Sequence, residues 1–326
     1  MPTNISCPEM KNGTLVVHVV NYTHSSTALL FLFWISVSSL FAIFWVSRSM
    51  YKQNRFSQPR FLAIAVCTCD FLYAALCVSM QTANYFLGYC DSGGYHGCIF
   101  RGFSQTLFMM ASRLMVVLMA VERFVALRYP FKYQHLMSKE RVIGAVAGLG
   151  LYAMLVSSLP LMGINSYGFQ SWCDFHWNDR SPGGRFFVLY FVFEGFACMM
   201  VILFCNVSAI YELLSMKKVH PVETSNKHKT ENAKFIMMMS AISVVYIVFS
   251  TPLLIRLFCN QLGINLSKQK DFVGIRLNIV NNMMNAHLLL FIQLLFHPKL
   301  RKKLNCCGNK EQDGDSNIPS TQVTNT

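Results

Sequence analysis

The chain has 326 residues, 53% of them hydrophobic and only 13% charged, with a mean hydropathy of +0.38. That balance excludes an ordinary soluble domain, and the net charge of +13 collects in alternate loops, which argues against a nucleic-acid surface. No phosphate loop, metal-ligand cluster, catalytic triad or pair of catalytic carboxylates is visible in the sequence, which therefore predicts neither an enzyme nor a cofactor.

Seven apolar stretches run at about 27–47, 61–87, 99–121, 142–163, 186–212, 234–259 and 272–296. Each is near the roughly 20 residues needed to cross ~30 Å of hydrocarbon. Lipid admits only backbones that satisfy themselves, as helices or closed barrels, and these runs are too long for barrel strands. The expected fold is an all-α membrane protein. A seven-helix bundle covers 27–297, between an N-terminal segment at 1–26 and a polar tail at 298–326 that is expected to be disordered.

Ahead of the first span, Asn4, Asn12 and Asn21 each open an Asn-X-Ser/Thr sequon, and Asn265 opens another before the seventh. Leu15–Val20 is too short and polar for a signal-peptide core, so the first span is expected to direct insertion. Basic residues crowd alternate loops: Arg48, Lys52, Arg55 and Arg60, then Arg123, Arg128, Lys132, Lys139 and Arg141. Lys217, Lys218, Lys227, Lys229 and Lys234 follow the fifth span, and Lys299, Arg301, Lys302 and Lys303 the seventh. The positive-inside rule then puts the N-terminus outside, the C-terminus in the cytoplasm and this basic face on membrane lipid. All four sequons fall on the glycosylated side; a fifth, at Asn206, lies within a span and is expected to be silent.

Cys7, Cys90, Cys98 and Cys173 lie on the predicted outside, where disulfides persist. Cys98 opens the third span and Cys173 lies in the second outer loop, so a bridge between them would tether that loop over the bundle. Cys7–Cys90 would be a second bridge. Cys306 and Cys307 follow the last basic run, a site suited to palmitoylation, with two unmodified thiols as the alternative. Arg276 heads the seventh span, where a cation in lipid costs roughly 2.5–3.5 kcal/mol even on the mildest scale. It either snorkels to the surface or faces inward and holds something negative.

Glu122, Arg123 and Phe124 follow Cys98 by 24 to 26 residues and close the third span. This resembles the acidic–Arg–aromatic motif of rhodopsin-like G-protein-coupled receptors. The runs Ala120 to Tyr133, Leu159 to Gly163, Phe204 to Val207 and Ser171-Trp172-Cys173 resemble the prostanoid receptors within that family. Ser250 to Leu262, with Pro252 in the sixth span, and Asp271 to Leu277 are most similar to the prostaglandin E2 receptors of the fourth subtype.

The resemblance implies a receptor for a prostaglandin or related lipid carboxylic acid, signalling through a heterotrimeric G protein of the stimulatory type, with arrestin as a further partner. It implies that Arg123 is held by Glu122 at rest and released on activation. It also implies a carboxylate site of Arg276, Tyr85 and Ser171, with Trp172 in the loop lid; Tyr85 follows Asp70 by fifteen residues, as in the family.

Several positions depart from the family pattern. Ser39 stands where the first helix normally has asparagine, and Met80 where the second has proline. In the seventh helix the family's Asp-Pro-Trp-x-Tyr becomes Asn285-Ala286-His287-Leu288-Leu289, without the bending proline or the switching tyrosine. Ligand-independent or decoy activity is the alternative this raises. Arg113 lies fifteen residues past Cys98, roughly 22 Å down at 1.5 Å per residue. Asp70, which binds sodium in the family, lies at a similar depth. Glu194 lies about eight residues into the fifth span, roughly 12 Å down. Arg113 is therefore expected to pair with Asp70 and replace the ion, with Glu194 as the competing partner.

Overall fold

The computed structural model describes residues 22–53, 56–87, 92–169, 173–219 and 226–264, together with positions 277, 280, 284, 285 and 287 of the seventh span. The long helices are α1 (Tyr22–Gln53), α2 (Gln58–Tyr73), α3 (Ser79–Leu87), α4 (Gly94–Arg128), α6 (Lys139–Ser158), α7 (Pro182–Val219) and α8 (Asn226–Gln261). A short helix, α5 (Pro130–Leu136), links α4 to α6. The strands β1 (Tyr167–Phe169) and β2 (Cys173–Phe175) pair antiparallel between α6 and α7, with Tyr167 opposite Phe175 and Phe169 opposite Cys173.

Apolar residues cover the outside as well as the core, as lipid demands. On α7, Phe186, Phe193, Met200, Val207 and Leu214 recur every seven residues and are all exposed, while Phe187, Val188, Phe191, Val192 and Ile202 are buried. On α1, Leu30, Phe33, Phe41 and Phe44 face out, while Ile35, Ala42 and Val46 pack inward. Five described segments are long and apolar enough to cross a membrane: Ser26–Tyr51, Gln58–Leu87, Lys139–Met162, Pro182–Glu212 and Ser243–Gln261.

The centre belongs to α4. Its 35 residues span about 52 Å at 1.5 Å per residue, and it touches α2, α6, α7, α8 and both strands. It starts earlier and ends later than the apolar run at 99–121, because a helix continues where its ends leave lipid. Gly93 caps it with φ 103°, a left-handed conformation that favours glycine. Gly102 lets the hairpin dock: a Cβ there would meet the Tyr167 ring at 2.6 Å.

One span departs from α geometry and another carries an internal proline. Between α2 and α3, residues Ala74–Val78 form a single π turn, and Ser79 Oγ donates back to the Ala75 carbonyl. The second span thus widens without the proline that Met80 replaces, in a form often found at functional sites. In α8, Pro252 removes a backbone donor, and Thr251 Oγ1 donates to the Ile247 carbonyl on the same stretch.

Candidate functional site

At one end of the bundle, Cys98 and Cys173 are bonded, with Cα atoms 5.0 Å apart, and hold β2 against the head of α4. Next to the bridge, the buried carboxylate of Asp174 fixes the hairpin. Its Oδ2 accepts from Gln105 Nε2 at 3.0 Å and Trp177 Nε1 at 3.2 Å, and its Oδ1 from the Phe175 N–H at 2.9 Å. Gln261 Nε2 donates to the Trp177 carbonyl at 2.7 Å, which ties α8 to the same loop. Burial pushes the His176 imidazole below its usual pKa, partly opposed by the Asp179 carboxylate, so the ring is neutral at pH 7.

Beneath this lid lies a cavity of about 10 Å3, walled by Gln105, Met109, Phe175, Phe191, Leu253 and Leu257. It holds roughly one water molecule, whereas sites for drug-sized ligands measure ~300–1,000 Å3. A long ligand enters only if the hairpin, α4 and α8 separate. Tyr85 lies half-buried near the end of α3, on this side of the bundle. Arg276, Ser171 and Trp172 lie outside the described residues, so of the four expected ligand contacts the structure places only Tyr85.

Midway down, the expected pairing of Arg113 with Asp70 is not what the structure shows. Arg113 Nη1 lies 3.1 Å from Glu194 Oε2, and its guanidinium stacks over the Phe191 ring at 4.7 Å. The Tyr246 hydroxyl is a further electrostatic neighbour. Glu194 lies deeper than its apolar run implies because the helix starts earlier. α7 begins at Pro182, so Glu194 lies twelve residues in, roughly 18 Å deep rather than 12 Å. Gly195 leaves room for the pair, since a Cβ there would meet Arg113 Nη1 at 2.7 Å.

Asp70 has other partners. Ser112 Oγ donates to its Oδ1 at 2.8 Å and Asn285 Nδ2 to its Oδ2 at 3.1 Å. One turn of α4 therefore sends neighbouring side chains to opposite sides, Ser112 to α2 and Arg113 to α7. His287 Nε2 accepts from Trp34 Nε1 at 2.6 Å and stacks on that ring at 5.5 Å. The departures from the family motif in the seventh span thus become polar ties to α1 and α2.

At the far end of α4, Arg123 Nε lies 2.8 Å from Glu122 Oε2, and Arg123 Nη2 donates to Glu122 Oε1 at 3.3 Å. Glu122 is fully buried. Tyr133 of α5 donates its hydroxyl to Glu122, and burial together with that carboxylate holds the phenol protonated far above its usual range. Arg128 pairs with Glu212 of α7 at the surface.

The family model of the 7 transmembrane receptor (rhodopsin family) matches residues 38–289. The chain belongs to that family. It is therefore a receptor rather than an enzyme, a multi-pass protein of the plasma membrane. The mouse prostacyclin receptor is 28% identical over 261 residues, 77% of this chain and 62% of that protein. The human prostaglandin E2 receptor EP4 subtype is 24% identical over 331 residues, 86% of this chain and 66% of that protein. The chain thus spans less than two thirds of the length of either relative. Squid rhodopsin superposes with a TM-score of 0.66 at 16% identity, over 95% of this chain and 98% of its own, a likeness of fold. Relatives of the receptor thus include both prostacyclin and E2 receptors, and identity does not favour the E2 branch.

The asparagines Asn4, Asn12, Asn21 and Asn265 and the cysteines Cys7, Cys90, Cys306 and Cys307 lie outside the described residues. Arg101, three residues after Cys98, is a further buried cation of this end of the bundle. Its signal was legible: an arginine in an apolar span is as costly there as at Arg276.

Proposed function

We propose that this receptor responds to a prostanoid, with prostaglandin E2 or a prostacyclin-type acid as ligand, and signals through a heterotrimeric G protein of the stimulatory type. The observation that carries the reading is that prostanoid receptors of two kinds match across three quarters or more of the chain. The disulfide end faces outward, and Arg276, Tyr85, Ser171 and Trp172 hold the ligand there. A guanidinium forks onto a carboxylate bidentately while hydroxyls fill its remaining lone pairs. The apolar tail lies among Phe175, Phe191, Leu253 and Leu257. Ligand binding favours a state in which α8 swings away from α4, which requires tighter binding to that state than to the resting one. Arg123 then leaves Glu122 for the G protein. Glycans on Asn4, Asn12, Asn21 and Asn265, palmitate on Cys306 and Cys307, and arrestin binding belong to the same reading.

Labelled prostaglandin E2, and separately a labelled prostacyclin analogue, binding to wild type and Arg276→Ala tests it. Wild type is expected to bind at least one of them, and the variant to lose roughly 30-fold or more in affinity. Unchanged affinity in the variant defeats the anchor.

A second reading, ligand-independent signalling, draws on Asn285 and His287. Their ties to Asp70 and Trp34 flank Ala286, which replaces the family's bending proline, and precede Leu289, which replaces its mobile tyrosine. High basal cyclic AMP without a ligand response would favour it.

A further inference from the structure

Arg101 is buried, 4% exposed, one turn of α4 beyond the disulfide. Its Nε and Nη1 have no hydrogen-bond partner among the described residues. Its electrostatic neighbours are Cys77, Tyr73, Tyr85 and Asp174. Only Asp174 among them is an acid, and Gln105, Trp177 and the Phe175 N–H already occupy that carboxylate. A buried guanidinium with unmade donors is costly unless something negative arrives.

The surroundings suit an anion. Arg101 lines a second small cavity, between α3 and the head of α4, together with Asn84, Ser92, Gly97 and Cys173. Ser92 Oγ donates to Asn84 Oδ1 at 3.1 Å, which leaves the Asn84 amide N–H groups to donate. The positive end of the α4 dipole lies at the same place, since the helix starts at Gly94. Gly97 keeps the wall thin, as a Cβ there would meet the Ser92 carbonyl at 2.9 Å.

This cavity adjoins the apolar one beneath the hairpin. Gln105 is one turn along α4 from Arg101 and lines the apolar cavity, and Cys173 and Asp174 are successive residues of β2 that line one cavity each. A donor-rich chamber and an apolar chamber thus share the α4–β2 seam.

We propose that Arg101 is a carboxylate-binding residue of the lipid site, a second cation on the Tyr85 side in addition to Arg276. The acid's head occupies the chamber of Arg101 and Asn84, and its chain passes under β2 into the chamber of Phe175, Phe191 and Leu257. The assignment rests on the reading of the receptor as one for a lipid acid. It adds that recognition of the charge is built into α3 and α4.

The test compares prostaglandin E2, a prostacyclin analogue and the methyl ester of each, in competition for the labelled acid on membranes bearing the full chain at matched surface levels. Wild type is expected to prefer acid over ester by roughly tenfold or more. Arg101→Gln is expected to lose roughly 30-fold for the acid, much less for the ester, and so to lose the discrimination. Arg101→Lys, which keeps the charge without the fork, is expected to fall between. It becomes the deciding variant if Arg101→Gln does not reach the surface. A merely structural role for Arg101 would lower acid and ester binding together. An unchanged acid-to-ester ratio in whichever variant is expressed overturns the assignment while the lipid-acid reading stands. A wild type that binds none of the acids overturns both.

Discussion

Arg101 and Arg113 are twelve residues apart on one helix, both buried, and the protein treats them in opposite ways. Arg113 meets Glu194 and the Phe191 ring. Arg101 has two guanidinium nitrogens with no partner among the described residues and lines a small polar chamber. A buried charge that is already paired holds helices in register. A buried charge without a pair marks a place where an external charge would be stabilised. The middle of the bundle therefore carries a paired cation, and the disulfide end a buried cation whose Nε and Nη1 find no acceptor among the described residues.

The largest effect that can break this contrast comes from cutting the committed pair. Arg113→Ala leaves the largely buried Glu194 carboxylate without its cation and with Cys198 Sγ as a hydrogen-bond donor, a change that costs about 3–5 kcal/mol in comparable sites. The expected readout is a steep loss of surface receptor and of thermal stability in detergent. Replacing both residues with leucine removes the stranded charge, so most of that loss should return. If the double variant is as poor as the single one, the pair is needed for more than charge balance.

A medium effect is expected at the other end of α4. Glu122→Gln weakens the hold on Arg123 and removes the charged acceptor of Tyr133. A charge-assisted hydrogen bond contributes about 1.5–3 kcal/mol, so basal cyclic AMP should rise several-fold. Basal output equal to wild type would show that Glu122 does not restrain the resting state.

The smallest effect is a pH dependence of the hairpin. His176 is neutral in the folded loop because burial lowers its pKa below the usual 6.5. A depressed pKa stabilises the fold above the unfolded value, and that contribution is lost as pH falls through the folded one. Thermal stability should therefore decline on acidification below about 6.5 and do so less in His176→Gln. Identical pH profiles for the two would remove His176 from the loop's stability.

Much of this architecture can be read from the residues alone, for identifiable reasons. Hydrophobic runs report spans because lipid punishes polar side chains over a fixed thickness. The Cys98–Cys173 bridge and the Glu122–Arg123 pair were legible because each involves a border of the apolar run at 99–121, where sequence position converts directly to location. The partner of Arg113 was not. Depth along a helix depends on where the helix begins, and α7 begins four residues before its apolar run. Direction around the helix depends on neighbours that sequence does not name, so Ser112 and Arg113 could not be assigned to opposite sides. The π turn at Ala74–Val78 was equally hidden, because it arises without proline or glycine.

The most direct test of the receptor reading is cyclic AMP in cells expressing the full chain, measured at rest and with rising prostaglandin E2 or a prostacyclin analogue. The account predicts a saturable rise with at least one acid, abolished or strongly right-shifted in Arg276→Ala. A high basal level that neither acid alters, in wild type and variant alike, would contradict it.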